Sequence, residues 1–179
     1  MKDSIVTLRA LEPDDVDYLY KWENNPEIWK VSATLSPFSR FVLSQYIADT
    51  INQDVFESHQ LRLVVEDNRT GFPIGLVDLY DIAVPDMRAS VGISVNEDSC
   101  RQKGYATSAL TLISRYAFDV LGLHQLHARI SVNNIASRRL FAKCGFSECG
   151  ILREWHRTAN GWEDQVEVQL INNVSKKYT

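Results

Sequence analysis

The sequence predicts a single α/β (α+β) domain over residues 1–179, with a mixed central sheet of about seven strands and helices on its faces. Its length of 179 residues suits one domain. In the first half, β-like segments follow one another across short turns, which favours antiparallel pairing. In the second half they alternate with amphipathic helices, which favours parallel pairing. A sheet that combines both patterns is mixed.

The first half of the chain supplies four predicted strands and two helices. The strands are predicted at residues 5–9, 61–66, 74–82 and 89–95. Pro13 and the acids beside it favour a helix start, and Pro26 ends that helix after about Asn25. A second helix is predicted after Ser36-Pro37, and it carries these apolar residues: Phe41, Val42, Tyr46, Ile47 and Ile51.

The second half begins with a long amphipathic helix that ends at Gly122. Its apolar residues recur at helical spacing: Ala106, Ala109, Leu110, Ile113, Ala117 and Leu121. A strand at 126–132 and a helix at 134–143 follow, and the helix stops at Cys144-Gly145. Residues 146–154 and 163–170 are predicted to form a final hairpin.

Composition excludes several classes of function. The net charge of −4 is unlike the basic footprint of a nucleic-acid-binding protein. The sequence has no apolar run of membrane-spanning length and no apolar segment of the signal-peptide type near Met1. Three cysteines without a CxxC motif favour free thiols in a reducing compartment. We therefore expect a cytoplasmic protein with no nucleic-acid or membrane partner.

The segment Arg101–Ala106 carries the first chemical signal. It lies between a predicted strand and the long helix, where unpaired backbone N–H groups and the helix dipole favour a phosphate. Gly104 has no Cβ, so an anion has room to approach the backbone, and Arg101 and Lys103 add positive charge. The segment predicts a pyrophosphate cradle, although an ordinary helix start with a turn glycine has the same pattern. The chain has neither a P-loop nor a GxGxxG motif.

A second motif, about thirty residues beyond Gly104, resolves that ambiguity. Residues 133–146 read NNIASRRLFAKCGF. With both motifs at this separation, the chain resembles the GNAT superfamily of acetyltransferases. RQKGYA resembles the acetyl-CoA loop of that family, and NxxSxxLFxKxGF resembles the strand–helix–strand that follows it. The branch it resembles holds ribosomal-protein alanine acetyltransferases and spermidine acetyltransferases, through segments such as GLVDLYDI and YAFDVLGLHQL.

This resemblance implies that the predicted strands at 89–96 and 126–132 splay apart and that acetyl-CoA, the co-substrate, lies between them. A strand, a loop and one asparagine are implied to bind it. They are Ser94, Val95 and Asn96, then Arg101, Gln102, Lys103, Gly104, Tyr105, Ala106 and Thr107, and finally Asn134. No metal is expected, because His124 and His127 form an HxxH pattern without a nearby acid or thiol cluster.

The sequence departs from the family pattern where proton transfer is concerned. Many members have a tyrosine, the general acid, where this chain has Phe141, and many relatives in this branch have a glutamate where it has Ser90. The catalytic residues are therefore left unassigned, with Asp78, Cys144 and Asn134 as candidates. Asp78 is equally well explained as an exposed strand acid, and Cys144 as a buried structural thiol.

Two functional hypotheses remain. The first is an acetyl-CoA-dependent N-acetyltransferase that acts on the primary amine of a polyamine, a protein N-terminus or another small amine. The second is a non-catalytic acetyl-CoA-binding sensor or degenerate paralogue, which Phe141 and Ser90 motivate. The expected partners are a small-molecule or peptide amine and, as a possibility that the sequence leaves open, further copies of the chain.

Overall fold

A computed structural model of the chain describes residues 1–29, 36–97, 100, 103–158 and 160–173, without the side chains of residues 28 and 52. Its strands are β1 (Val6–Arg9), β2 (Leu61–Asp67), β3 (Pro73–Ala83), β4 (Arg88–Val95), β5 (Gln125–Ser131), β6 (Ser147–Thr158) and β7 (Gly161–Ile171). Within the described residues these seven form one sheet in the order β1-β2-β3-β4-β5-β7-β6. Only β4 and β5 are parallel neighbours there, so the predicted mixed sheet is confirmed.

The helices connect these strands. They are α1 (Val16–Glu23), α2 (Pro26–Trp29), α3 (Arg40–Asn52) and α4 (Val55–Ser58) between β1 and β2, α5 (Tyr105–Asp119) between β4 and β5, and α6 (Ile135–Lys143) between β5 and β6. A 3₁₀ turn at Pro13–Asp15 leads into α1, where the predicted acids lie. Along the described parts of the chain, no helix is long and apolar enough to cross a membrane.

The two faces of the sheet differ in chemistry, because alternate residues of each strand point to opposite sides. One face is apolar and packs against α5 and α6 in the larger core, which includes Leu79, Val91, Leu126 and Val166. The other face has a smaller apolar core at its β2–β3 end, under α1 and α3, with Leu76 in it. On β4, β5 and β7 this second face is polar, so a groove for polar ligands remains there.

The parallel strands β4 and β5 separate after only three paired positions. Ser90 opposite His127 is the last of them, although β4 continues to Val95 and β5 to Ser131. β4 instead follows β3 closely: a Cβ on Gly75 would lie 2.0 Å from the Ser94 carbonyl oxygen. Glycine is therefore required where β3 holds β4 away from β5. The splayed central strands that the resemblance implied are confirmed.

Two details differ from the sequence predictions. The final hairpin is longer than predicted, since β6 continues to Thr158 and β7 begins at Gly161. The buried face of α3 consists of Leu43 and Ile47, one turn apart. Three of the apolar residues predicted along this helix are exposed, namely Phe41, Val42 and Ile51. A 13-residue helix that lies over the edge of a core buries only a narrow stripe, which apolar spacing alone overestimates.

Candidate active site

The split between β4 and β5 opens into a cavity that residues of both faces of the sheet line. Its floor and walls come from five strands and α6, and the lining residues are Tyr80, Val91, Gly92, Ile93, Ala128, Arg129, Ile130, Ser131, Asn134, Ser137, Phe141, His156, Glu163 and Gln165. The separation of two parallel strands leaves the edge of β4 without a hydrogen-bonding neighbour beyond Ser90. An extended ligand is therefore able to pair with that edge as a strand would.

The hydrogen-bond pattern shows which residues present backbone groups to the open edge. Asn96 N donates to Ile74 O at 2.9 Å, and Met87 O accepts from His124 N on the β5 side at 2.6 Å. Backbone groups alternate along a strand. Those of Ile93 and Val95 therefore face the split, and those of Asn96 point to β3. The same alternation turns the Ser94 backbone to β3. Of the predicted strand residues, Val95 alone presents its backbone to the ligand side.

Asn96 has a different feature that fits a ligand. Its Nδ2 donates to Ser94 Oγ at 3.2 Å, but its Oδ1 is buried and has no hydrogen-bond partner among the described residues. A buried acceptor without a partner is costly. An amide N–H of the pantetheine arm of CoA is the kind of donor that this oxygen lacks.

The N-terminus of α5 has the geometry of an anion site. Gly104 precedes the helix at φ +86°, and no side chain caps it. The first N–H groups of the helix are therefore left for a ligand. A groove of about 550 Å³ runs from here to α6, within the roughly 300–1,000 Å³ typical of small-molecule sites. Its lining residues are Val95, Cys100, Gly104, Tyr105, Ala106, Thr107, Ala136, Ser137, Arg139, Leu140 and Lys143.

The predicted loop residues divide into three groups. Ala106 and Thr107 line the groove, and Lys103 is exposed where the helix begins. Tyr105 is 7% exposed and packs into the core. Its phenol pKa is raised by burial and by a hydrogen bond to Asp67, so the ring supports the groove rather than offering a proton. The predicted Arg101 and Gln102 lie outside the described residues.

The sequence did not indicate two cationic side chains that line the groove. Arg139 and Lys143 of α6 line the groove beside the α5 N-terminus. Both side chains are exposed, so they suit the phosphates of a large anionic ligand. Their spacing of four residues on a helix next to the recognised loop was the available signal.

Asn134 lies at the junction of the cavity and the groove. Its Oδ1 accepts from Ser137 N at 3.0 Å, which makes it the N-cap of α6. Ser137 lines both the cavity and the groove, so the two form neighbouring parts of one site. Asn134 thus fixes the start of the helix that separates the two ends of the site.

The two other catalytic candidates, Cys144 and Asp78, lie outside the lining of the split. Cys144 contacts α5, with Sγ 3.8 Å from Thr107 O. Burial raises the pKa of its thiol. Asp78 accepts from Arg62 Nε at 2.6 Å, and Arg62 also donates to Glu23 at 2.8 Å. Burial raises the pKa of Asp78, and the Arg62 charge opposes that rise.

Phe141 lines the cavity and also belongs to the core. It is 3% exposed and packs edge-on against Phe146, with the ring centroids 4.9 Å apart. Without a hydroxyl it offers no proton to a leaving group, as the sequence indicated. Its contribution to the site is an apolar wall.

The opposite wall of the cavity is anionic. Glu163 accepts from Ser131 Oγ at 2.6 Å and from Asn133 Nδ2 at 2.7 Å. These hydrogen bonds lower the pKa of its carboxyl, so it is ionised at neutral pH. The site therefore has a helix N-terminus and two cations in the groove and the Glu163 carboxylate in the cavity, which Arg129 and His156 also line. That arrangement suits an anionic ligand and a cationic one that meet at the split.

Known proteins share this architecture. Residues 6–147 match the model of the acetyltransferase (GNAT) domain. The chain is 30% identical over 152 residues to the spermidine N(1)-acetyltransferase of Vibrio cholerae, a match that covers 85% of this chain and 84% of that protein. It is 31% identical over 147 residues to the spermidine N(1)-acetyltransferase of Escherichia coli K12, with 82% and 75% covered.

A solved structure agrees with the fold and with the ligand. The spermidine N-acetyltransferase of Vibrio cholerae, in complex with CoA and spermine, superposes with a TM-score of 0.82 at 28% identity. The superposition covers 94% of this chain and 96% of that one. The resemblance seen in the sequence, the enzyme class and the acetyl-CoA co-substrate are thereby confirmed. The chain belongs to the GNAT family of acetyltransferases and is an acetyl-CoA-dependent N-acetyltransferase.

Proposed function

We propose that this enzyme acetylates a primary amine of a polyamine such as spermidine. The observation that carries the proposal is the ionised carboxylate of Glu163 on the wall of the split, opposite the cationic groove. A polyamine keeps a second cationic nitrogen when one nitrogen is neutral and reacts. A carboxylate held by Ser131 and Asn133 is well placed to attract that second charge. The relatives named for spermidine point to the same substrate class.

The chain would hold acetyl-CoA from its two ends. The N-terminus of α5 at Gly104, with Arg139 and Lys143, would take the phosphates. The open edge of β4 at Val95 would pair with the pantetheine arm, and Asn96 Oδ1 would accept one of its amide protons. These contacts place the thioester where β4 and β5 begin to separate.

Acetyl transfer joins the amine nitrogen to the acetyl carbon and breaks the bond from that carbon to sulfur. Negative charge develops on the carbonyl oxygen as the nitrogen attacks. Backbone N–H groups on the open edge of β4, such as that of Ile93, would stabilise this charge. Holding the two reactants on opposite sides of the split supplies a further large part of the rate.

A panel of amines tests the proposal. Release of the CoA thiol is measured with spermidine, spermine, a monoamine such as butylamine and a peptide that begins with alanine. We expect kcat/KM to be highest for a polyamine, because only a polyamine offers a second charge to Glu163. A peptide acetylated more efficiently than every polyamine would contradict the proposal.

The substitution Glu163→Gln sharpens that test. Loss of one partly exposed charge pair should raise KM for spermidine roughly two- to fivefold. KM for butylamine should stay unchanged, because it has no second charge. Glu57→Gln is the matched control, since Glu57 is exposed on α4 and lines none of the site. Equal changes of KM for both amines would rule out this role for Glu163.

Two wider expectations remain predictions. Self-association is one, and light scattering of the purified chain measures it. A cytoplasmic location is the other, and fractionation of the native cells measures it. Neither changes the chemistry proposed for the split.

A further inference from the structure

A hydrogen-bonded chain of polar side chains crosses three strands beside the active site. Ser90 Oγ of β4 lies 3.3 Å from His127 Nε2 of β5. The other ring nitrogen, His127 Nδ1, lies 2.7 Å from Glu167 Oε1 of β7. Arg129 Nε donates to the second oxygen of that carboxylate at 2.9 Å. A hydroxyl, an imidazole and a carboxylate are thus aligned in the order in which proton relays use them.

The hydrogen bonds assign the tautomer of His127. A carboxylate only accepts, so Nδ1 carries the hydrogen that Glu167 receives. Nε2 then has a free lone pair, and the Ser90 hydroxyl donates to it. In this state the imidazole is ready to take up a proton from the direction of Ser90. Glu167, which Arg129 holds in place, fixes the ring and stabilises the imidazolium that would form.

The position of this chain relates it to the reaction. Ser90 opposite His127 is the last paired position before β4 and β5 separate, so it borders the split. Tyr80, directly opposite Ser90 on β3, lines the cavity itself. Burial raises the pKa of the Tyr80 phenol, and nearby Asp81 and Asp78 raise it further, so the phenol keeps its proton at neutral pH. A neutral hydroxyl both accepts and donates a hydrogen bond, as a relay requires.

The far end of the chain reaches solvent. Ser90 is only 6% exposed, but His127 and Glu167 line a second, open groove on the same face. The charged and titratable groups that face His127 come from every adjacent strand. They are Tyr80 and Asp81 of β3, Arg88 of β4, Arg129 of β5, Cys149 of β6 and Glu167 of β7. A proton that arrives at His127 therefore has a route to water.

We propose that Tyr80, Ser90 and His127 form the proton relay that removes the proton of the attacking amine, with Glu167 as the positioning residue. This proposal rests on the N-acetyltransfer assigned to the split. The amine proton passes to the Tyr80 oxygen as the Tyr80 proton passes to Ser90, and the Ser90 proton passes to His127 Nε2. The imidazolium returns this proton to water in the open groove. The nitrogen loses its second proton to solvent after the C–N bond has formed, and the released thiolate of CoA takes one proton from solvent, so one proton is released overall.

The reaction requires a group that removes a proton from the cationic amine. Deprotonating an amine with a pKa near 10.4 at pH 7 costs roughly 4–5 kcal/mol. The Ser90 hydroxyl is not itself a base at neutral pH, but the imidazole of His127, one strand away, lies within hydrogen-bonding distance of it. The sequence drew attention to His127 only through its HxxH pattern with His124, which was weighed as a metal site and rejected, and not as a base.

The substitution His127→Gln tests the relay, with His124→Gln as the matched control. His124 is exposed, three residues away, and lines none of the cavities described above. We expect His127→Gln to lower kcat by about a hundredfold, as loss of a general base does. The thermal midpoint and the affinity for acetyl-CoA should match those of the control. An unchanged kcat in a folded, acetyl-CoA-binding His127→Gln variant would overturn the proposal.

The pH profile separates a base from a structural histidine. A general base works only in its unprotonated form, so kcat of the native enzyme should fall on the acid side. In His127→Gln that limb should be absent, and added imidazole should restore part of the rate to His127→Gly. Glu167→Gln should lower kcat less than His127→Gln and leave KM for the amine unchanged. An acid limb that persists unchanged in His127→Gln would also overturn the relay.

A second-site variant distinguishes this proposal from the assignment of the substrate. Ser90→Glu places a carboxylate at the cavity, so the double variant Ser90→Glu with His127→Gln should regain at least tenfold in kcat over His127→Gln alone. All variants are assayed with the amine that the native enzyme acetylates most efficiently. If that amine is not a polyamine, the proposed substrate fails and the relay is still tested. If the His127→Gln variant acetylates the preferred amine at the native rate, the relay is wrong and the proposed substrate is unaffected.

Discussion

The two sides of the active site differ in the groups that form them, which are mainly backbone groups on one side and side chains on the other. The side proposed for acetyl-CoA consists mainly of backbone groups and helix ends, at Val95, at Gly104 and in α6. The side proposed for the amine consists of side chains that several strands bring together, such as Tyr80, His127 and Glu163. A backbone site depends on local geometry, and a side-chain site depends on which residues happen to be neighbours in the sheet.

This contrast has a consequence for function. Backbone N–H groups and a helix N-terminus bind the same anion whatever side chains surround them, so long as the backbone keeps its shape. On the amine side one exchange, Ser90 for a carboxylate, changes the base and the route of the proton. We therefore expect damage on the two sides to differ in kind: affinity for acetyl-CoA on one, and stability and turnover on the other.

The largest expected effect is beside the amine side, on the same face of the sheet, where Arg62 lies between two carboxylates. Its guanidinium pairs with Asp78 at 2.6 Å and with Glu23 at 2.8 Å, and all three side chains are at most 22% exposed. Arg62→Met leaves both carboxylates without their cation, which should cost about 3–4 kcal/mol of the free energy of unfolding. Denaturant unfolding measures this loss.

A control and a pH series sharpen that prediction. Arg40→Met breaks an exposed pair with Asp17 and should cost only a small fraction as much. The pKa of Asp78, already raised by burial, should rise further without Arg62. A folded-state pKa above the unfolded one means that the folded state gains protons first. The variant should therefore recover stability as pH falls towards 4. Equal losses in both variants would show that the Arg62 cluster is no more than a surface pair.

The next effect is on the acetyl-CoA side, at Gly104. Valine there would suffer the strain of φ +86° and would crowd a phosphate at the helix start, although no protein atom lies within 4 Å of its Cβ. Losing one hydrogen bond to a charged group costs about 1.5–3 kcal/mol. Such a loss lowers affinity for acetyl-CoA roughly ten- to a hundredfold, which calorimetry measures.

Gly71→Val separates strain from crowding. Gly71 has φ +71° and also has no atom within 4 Å of an added Cβ, but it lies in the turn between β2 and β3. Both variants should lose about 1–2 kcal/mol of stability through the left-handed backbone. Only Gly104→Val should lose affinity. If both bind acetyl-CoA as well as the native chain, the anion site at α5 is wrong.

The same contrast explains what the sequence revealed. The order of strands and helices and the acetyl-CoA loop were predictable, because periodicity and a helix start with a glycine are local patterns. The sequence did not show that Arg139 and Lys143 line the groove, because a helix pattern does not say what lies beside the helix. The sequence also did not show that His127 and Glu167 are hydrogen-bonded, and the reason is stronger. They are 40 residues apart and meet only through the register of β5 and β7.

Where side chains were predicted from the family pattern, burial decided the outcome. Tyr105, predicted in the acetyl-CoA loop, is the first residue of α5, and its ring turns into the core while its hydroxyl binds Asp67. Asp78 was a candidate for contact with the amine, and Arg62 engages it instead. Only the packing of α1 and α3 on the sheet brings Glu23, Arg62 and Asp78 together. A pattern of residues along the sequence does not show how helices pack on the sheet.

The smallest expected effect is at Phe141, a side chain that contributes to both the core and the split. Phe141→Tyr adds a hydroxyl to the wall of the cavity. A thiol is a stronger acid than an amine, with a reference pKa near 8.5 against 10.4, so the departing thiolate needs little help. We expect kcat to rise by no more than about fivefold, which is near 1 kcal/mol.

Phe146→Tyr, in the same ring pair but outside the cavity lining, should lose stability without any gain in rate. A rise above a hundredfold in Phe141→Tyr alone would show that thiolate protonation limits the native enzyme. Proton transfer to the CoA thiolate would then be the slow step, and the relay through His127 would not set the rate.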